Sequence, residues 1–269
     1  MTGDTANKLL VDGHVHLYPC FDPDRFLAAA HSNLTAAARQ IGGVSAGALL
    51  FTETARDFAF DALKSGALAH SGWIVESAEG DPALVLRSAE GGLPLVIVAG
   101  RQIQTKERIE VLAVGSEAPP PPDGTPLADV LATLAANGVP MILPWGVGKW
   151  MGERGRIVAR TFAETPGLLA GDNAGRPLGW RAPEIFSKWP VLPGSDPLPY
   201  PGAEANVGSY GFVLEGPVDL SRPGAVIRDR LSGLADSPAR FGSRAGPVDF
   251  VTSRVRFRMA KGKPISQTT

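Results

Sequence analysis

The stretch that most constrains the fold is residues 9–19, which read LLVDGHVHLYP. An apolar run is interrupted by Asp12 and Gly13 and is followed by His14 and His16. In an extended strand, residues i and i+2 point to the same face, so the pattern predicts a strand whose carboxyl end directs both imidazoles to one point. Imidazole binds zinc, iron and manganese, so the segment indicates a metal site. The alternative is an ordinary strand with two half-buried, hydrogen-bonded histidines.

Composition fits a folded domain with a sizeable core. The chain has 269 residues, of which 44% are hydrophobic and 20% are charged, and we expect one domain over residues 1–269. The net charge of −1 argues against a bulk polyelectrolyte partner. Residues 221–269 hold 10 Lys or Arg against 3 Asp or Glu. We interpret this basic C-terminal segment as a solvated face, and nucleic-acid binding is disfavoured.

Compartment and partners follow from what the sequence contains. Cys20 is the one cysteine, so an intrachain disulfide is excluded and a reducing environment is expected. The first residues lack the order of a signal peptide, and no apolar run approaches the length of a membrane span. We therefore predict a cytoplasmic protein with a small-molecule substrate and no membrane partner. An oligomer is left open.

Hydrophobic spacing predicts alternating strands and helices in the first part of the chain. Asp22 and Pro23 form a cap and first turn for a helix over residues 22–41. Two strand–helix units in succession predict a parallel sheet, in which residues just past the strand ends line the site. Further predicted helices cover residues 55–65, 126–137, 156–164, 203–214 and 223–234, and further strands cover residues 46–51, 139–143, 167–171 and 190–193.

Three segments depart from this alternation of strands and helices. Residues 71–115 contain short apolar runs separated by turn signals, which predicts an antiparallel β excursion. Four prolines, residues 119–122, predict an extended connector. Residues 252–259, TSRVRFRM, alternate apolar residues with arginines, which predicts a half-exposed strand. His31 and His70, outside the predicted site, are interpreted as structural or exposed.

With DGHVHL, GRQIQTKERIEVLAVG and LPGSD in this order, the chain resembles the PHP family of metal-dependent phosphoesterases, named for polymerase and histidinol phosphatase. It is less similar to the wider amidohydrolase-type barrels. The resemblance spans residues 9–196. It implies a distorted (β/α) barrel with a cluster of metal ligands, in which His14 and His16 match the opening pair and Asp196 matches the closing GSD motif.

Several family ligands are replaced in this chain. Glu53 and Thr54 stand where the family has Asp-His, and Gln102 stands where it has a metal-binding glutamate. Leu112 and Leu198 occupy two positions at which the family has histidine. A histidine expected near residues 144–145 is also missing. A three-metal cluster is therefore excluded.

The remaining ligands suffice for one divalent metal ion. We expect His14, His16 and Asp196 to bind it, with Glu53 or Asp172 as a fourth group. Zinc is the preferred ion, with iron or manganese as alternatives. A metal-activated water would be the nucleophile.

Other groups are assigned to proton transfer and substrate binding. Asp172 or Glu53 is predicted to take the proton of the water. Lys149, with Arg154 or Arg176, is predicted to hold an anionic oxygen of the substrate. The tryptophans near the strand ends, Trp145 among them, are candidates for the wall of a pocket, although core packing accounts for them equally well.

Two functions follow from this interpretation. The first is a metal-dependent hydrolase acting on a small phosphoester or amide. The second is a degenerate barrel that has lost its chemistry and serves as a binding or scaffold protein. The replaced ligands favour the second function, whereas the retained HxH and GSD motifs favour the first.

Overall fold

The computed structural model describes residues 7–68 and 71–261. The strands are β1 (Lys8–Val15), β2 (Val44–Phe51), β3 (Trp73–Ser77), β4 (Ala83–Ser88), β5 (Leu95–Val98), β6 (Gly100–Gln104), β7 (Glu110–Val114), β8 (Met141–Pro144), β9 (Leu169–Asn173), β10 (Val191–Gly194), β11 (Tyr210–Glu215) and β12 (Arg240–Gly242). The α-helices are α1 (Pro23–Ile41), α2 (Ala59–Lys64), α3 (Leu127–Ala136), α4 (Gly152–Glu164), α5 (Pro223–Ser232) and α6 (Pro247–Lys261). None of these helices is long and apolar enough to cross a bilayer.

The strands form two mixed sheets, and the predicted (β/α) barrel is wrong. A seven-stranded sheet has the order β12-β11-β1-β2-β5-β4-β3, and a five-stranded sheet has the order β10-β9-β8-β7-β6. A barrel requires one closed ladder of strands, whereas each of these sheets ends in two edge strands. Antiparallel pairs, such as β1 with β11 and β7 with β8, also interrupt the parallel order that a repeated strand–helix unit would give.

The two sheets meet at two short backbone contacts near the strand ends. Glu53, just after β2, forms an isolated bridge with Arg101 of β6. At the other contact, the Asp196 N–H donates to the His14 carbonyl oxygen over 2.9 Å. These contacts lie beyond the regular ladders, and they bring the carboxyl ends of β1, β2 and β10 together.

The core has three apolar layers. On the outer face of the seven-stranded sheet, residues such as Leu10 pack against Phe26 and Leu34 of α1. Between the sheets, the opposite face of β1 packs against β7, β8 and β9 in a second cluster that includes Leu9. Helices α3 and α4 cover the outer face of the five-stranded sheet. β1 is therefore buried on both faces, which explains its nearly continuous apolar sequence.

Most of the predicted elements are confirmed, although the boundaries shift by a few residues. α1 begins as expected, because the Asp22 carboxylate accepts a hydrogen bond from the Arg25 N–H over 3.0 Å and Pro23 opens the first turn. The β excursion is antiparallel within β3–β5 and within β6–β7. His31 contacts Trp73 with ring centroids 5.5 Å apart, and His70 lies outside the described residues.

The predicted helix over residues 203–214 is wrong. A 3₁₀ turn covers Ala203–Asn206, and β11 follows it. Gly208 adopts a φ of +74°, which ends any helix at this point. The aromatic and branched residues after it then pair antiparallel with β1.

The predicted strand over residues 252–259 is also wrong, because this segment lies in α6. Phe257 and Ala260, three residues apart, pack against the core, as one helix face requires. Val255 and Met259 are exposed. A strict alternation of apolar residues and arginines can therefore occur in a helix when only one face of the helix packs against the core.

The close approach of β1 and β10 requires glycine in both strands. A Cβ on Gly13 would lie 2.7 Å from the Pro193 carbonyl oxygen, and one on Gly194 would lie 2.4 Å from the His14 nitrogen. Real Cβ atoms do not come so close to backbone atoms. The glycines in DGHVH and PGSD therefore allow the two motifs to touch.

The Asp12 side chain connects the chain segments at this junction by hydrogen bonds. Its buried carboxylate accepts hydrogen bonds from the backbone N–H groups of Ser195 over 2.7 Å, Gly208 over 2.8 Å and His14 over 3.3 Å. It thus ties the end of β1 to the loop after β10 and to the start of β11. Burial raises the pKa of Asp12 to about 7, and the hydrogen bonds from Ser195, Gly208 and His14 oppose that rise.

We predict that Asp12→Ala destabilises the protein by at least about 3 kcal/mol, because it leaves three buried N–H groups without an acceptor. Urea unfolding followed by far-ultraviolet circular dichroism measures the free energy of unfolding. Asp236→Ala removes an exposed aspartate and should change that free energy by less than about 0.5 kcal/mol. A loss below about 1 kcal/mol for Asp12→Ala would contradict the role given to this carboxylate.

Candidate metal centre

His14, His16 and Asp196 come together where β1 meets the loop after β10. The Nε2 atoms of the two histidines are 3.0 Å apart, and His14 Nε2 lies 3.6 Å from Asp196 Oδ1. One ligand atom from each of the three residues lies within 4.8 Å of the others. Both imidazoles are buried. The structure therefore brings together the three residues that the sequence predicts as metal ligands.

Two of the three spacings between these atoms match those around one small divalent cation. Metal–nitrogen and metal–oxygen bonds of zinc are about 2.0–2.2 Å, so two ligands at a tetrahedral angle lie about 3.3 Å apart. The distances of 3.0 Å between the two imidazoles and 3.6 Å between His14 and Asp196 bracket that value. The third pair, His16 with Asp196, lies within the 4.8 Å that encloses all three ligand atoms. Two nitrogens and one carboxylate oxygen form a donor set typical of catalytic zinc sites, which keep one position open.

Burial keeps both histidines neutral, the form that binds metals. It lowers the pKa of His14 to about 4, while the Glu110 carboxylate opposes the shift. It lowers the pKa of His16 to about 3, with a further lowering by His14 and an opposing effect of Asp196. At neutral pH neither imidazole has to lose a proton before a cation binds.

Asp196 is held by its backbone and by Asn173. Its φ of +45° is unusual for a residue with a side chain, and it accompanies the hydrogen bond to the His14 carbonyl oxygen. The Asn173 amide donates to Asp196 Oδ2 over 3.0 Å and to the Trp145 carbonyl oxygen over 2.7 Å. Asn173 thus occupies one carboxylate oxygen, and the other lies towards His14.

Glu53, predicted as a fourth ligand or proton acceptor, has other partners. Its Oε1 accepts from the Phe60 N–H over 2.7 Å, and its Oε2 lies 3.5 Å from the Arg101 guanidinium. The neighbouring Thr52 hydroxyl lies 3.4 Å from His16 Nε2 instead. Because successive side chains of an extended chain alternate in direction, Thr52 and Glu53 have different neighbours, and the carboxylate joins β2 to α2.

Asp172, the other predicted fourth ligand or proton acceptor, is part of a buried ion pair. Two nitrogens of Arg176 each donate to its carboxylate over 2.7 Å, and the Tyr210 hydroxyl donates over 3.1 Å. Arg176 also donates to the Trp180 carbonyl oxygen. The carboxylate therefore accepts three hydrogen bonds, and the guanidinium predicted to bind substrate directs two of its nitrogens to it.

Lys149 and Arg154 also have protein partners. Lys149 forms an ion pair of 2.5 Å with Glu110, and the charges of both groups act on the pKa of His14. The pair is therefore close enough to His14 for its charges to act on that residue. Arg154 donates to the Gly148 carbonyl oxygen over 3.0 Å and holds the loop that carries Lys149.

Trp145 lines a cavity on the side of α4. The cavity measures about 650 Å³ and is lined by four tryptophans, Trp145, Trp150, Trp180 and Trp189. The rings of Trp145 and Trp180 are 6.3 Å apart in an edge-on contact. The tryptophans thus form the wall of a cavity, and the assignment of Trp145 to substrate binding stays a prediction.

Sequence reasoning missed Thr52, Glu110, Asn173 and the structural Asp12. Two of them carry a readable signal, because Thr52 directly precedes Glu53 and Asn173 directly follows Asp172. A choice between adjacent strand-end residues requires the direction of each side chain. The sequence analysis selected the carboxylates, whereas the structure places Thr52 against His16 and Asn173 against Asp196. Nothing in the local sequence distinguishes Glu110 from other charged residues at strand starts.

Comparisons with known proteins show the fold alone. No family model matches the chain, and no curated protein matches it. A crystal structure of PsfC from Pseudomonas syringae PB-5123 is similar over 94% of this chain and 99% of that chain, with a TM-score of 0.55 and 16% sequence identity. The fold of this chain is therefore similar to that of a solved protein over nearly the whole length of both chains.

We predict that Glu53 makes stability depend on pH. Burial raises its pKa from 4.5 to about 7, so the folded chain retains a proton that the unfolded chain loses between these pH values. The resulting stability is complete below pH 4.5 and is lost as pH rises through about 7, which amounts to about 2–3 kcal/mol. Glu53→Gln keeps the acceptor for Phe60 and should remove this loss.

Urea unfolding at pH 5 and at pH 8, at about equal ionic strength, measures the difference. The exposed Glu79→Gln is the matched control and should behave as the wild type does. A Glu53→Gln protein with the pH dependence of the wild type would contradict this assignment.

Proposed function

We propose that the chain is a metal-dependent hydrolase that acts on a small phosphoester or amide. The observation that supports it is that two neutral imidazoles and one carboxylate come together, with one ligand atom of each residue within 4.8 Å of the others. The resemblance of DGHVHL and LPGSD to the PHP family agrees with this proposal.

His14, His16 and Asp196 would hold the ion. When bound there, a divalent cation supplies Lewis acidity, which makes a water molecule acidic enough to act as a nucleophile near neutral pH. Zinc is the proposed ion, with iron or manganese as alternatives, because two imidazoles and one carboxylate suit all three.

The other polar residues have positioning and proton-transfer roles. Asn173 holds one oxygen of Asp196 and leaves the other free for the ion. Glu110 is the proposed proton acceptor, because its charge acts on His14 and its pairing with Lys149 uses one oxygen, Oε1. Asp172 instead accepts three hydrogen bonds from Arg176 and Tyr210, and Glu53 is bound to the Phe60 N–H. Lys149 balances the charge of Glu110 and would hold an anionic oxygen of the substrate when Glu110 takes up the proton.

Metal titration tests the proposal. Full-length protein without a histidine tag is stripped with a chelator and titrated with zinc or manganese in a calorimeter. We expect one equivalent to bind, and His14→Ala with His16→Ala to weaken binding by at least about 100-fold. His31→Ala removes a histidine that packs on Trp73 and is the control, with unchanged affinity. Less than about a tenth of an equivalent in the wild type would refute the metal site.

Activity assays then separate the two functions. The metal-loaded protein is assayed with chromogenic phosphoesters, esters and amides, and hydrolysis should fall by at least about 100-fold in Asp196→Ala. A protein that binds metal but hydrolyses none of these substrates would instead support the degenerate binding or scaffold protein.

A further inference from the structure

A second cavity lies directly beside the candidate metal centre. It measures about 290 Å³ and is bounded by the ends of β9 and β10 on one side and by α6 on the other. We call it the α6 cavity, and the residues on which the argument depends are Asn173, Asp196, Tyr200, Arg244, Asp249 and Arg254. Because Asp196 belongs to both the cavity and the metal centre, a molecule in the cavity would lie next to the ion.

The α6 cavity is positively charged once Asp196 is committed to a cation. Its other charged lining residues in the described chain are Arg244, Arg254 and Asp249, which leaves two positive charges against one negative charge. The charge of Arg254 also reaches Asp196, because it lowers the pKa of that carboxyl against the larger effect of burial. An anion is the ligand that this balance favours.

The two arginines keep most of their donors available. Within the described residues, Arg254 lies over the Phe250 ring, 5.4 Å from its centroid, and forms no ion pair. Arg244 donates one hydrogen bond, to the Pro177 carbonyl oxygen, over 3.5 Å. A guanidinium has five donors arranged to hold two oxygens of one carboxylate or phosphate. By contrast, Arg176 donates two hydrogen bonds to Asp172 and one to the Trp180 carbonyl oxygen.

We propose that the α6 cavity binds an anionic group of the substrate, a phosphate or a carboxylate, through Arg244 and Arg254, and so selects small anionic substrates. This inference rests on the proposed function, since it takes the neighbouring metal centre as the reacting site. It places the specificity-determining residues in the basic C-terminal segment, in the loop before α6 and in α6 itself. Tyr200 supports that helix, because its hydroxyl hydrogen-bonds to Ser253 over 3.2 Å.

Calorimetric titration of the full chain with inorganic phosphate and, separately, with malonate tests the inference. Each titration is run on metal-free protein and on protein loaded with one equivalent of manganese. We expect one equivalent of at least one anion to bind, more tightly in the loaded protein. Arg244→Gln and Arg254→Gln should each weaken binding by at least about tenfold. Preference for phosphate would indicate a phosphoester substrate, and preference for malonate a carboxylate.

Arg256→Gln is the matched control, because it removes the same charge from an exposed position of the same helix and does not line the cavity. Arg254→Lys should bind more weakly than the wild type but retain part of the affinity, since it keeps the charge and loses the two-pronged geometry. The inference is overturned if neither anion binds, or if Arg256→Gln weakens binding as much as Arg254→Gln does. If the protein takes up metal but binds neither anion, this inference alone is refuted. If it binds an anion but takes up no metal, the proposed function alone is refuted.

Discussion

The carboxylate of Asp12 is the constraint on which the candidate site depends. It sits between β1, the loop after β10 and the start of β11, and three backbone N–H groups converge on it. Two of those N–H groups belong to His14 and Ser195, so the same carboxylate positions one candidate ligand and the residue before another. A buried carboxylate with three donors is costly to replace, because each donor would lose its acceptor. The candidate metal centre therefore lies on a polar junction inside an apolar core.

Around this junction, several charged side chains of the described residues form ion pairs or hydrogen bonds with other protein groups. Asp172 with Arg176 and Glu53 with the Phe60 N–H account for two carboxylates that a strand-end position alone would assign to chemistry. Among the described residues, the groups proposed to bind ligands are the two imidazoles, which hydrogen-bond to each other, one oxygen of Asp196 and the arginines of the α6 cavity. The proposed metal centre and the proposed anion-binding cavity are thus adjacent, and Asp196 belongs to both.

Short-range sequence patterns predicted most of the helices and strands and the approach of His14 to His16. They did not predict which distant strands pair. The cap at Asp22 and the periodicity of α1 are short-range features, and so is the HxH spacing that puts His14 and His16 on one face of β1. The antiparallel pairing of β1 with β11 brings together residues about 200 positions apart in sequence, and the strand–helix order does not encode it. For this reason the same order of elements suggested a closed barrel. The directions of the Glu53 and Asp172 side chains depend on where β2 and β9 end. Hydrophobic periodicity places the end of a strand only to within a few residues.

The most direct test of this account is a crystal structure of the protein soaked with zinc, with diffraction recorded on both sides of the zinc absorption edge. The account predicts one anomalous peak within about 2.0–2.2 Å of His14 Nε2, of a ring nitrogen of His16 and of a carboxylate oxygen of Asp196. A peak bound by other residues, or no peak at this junction, would contradict the claim that these three side chains form a metal centre.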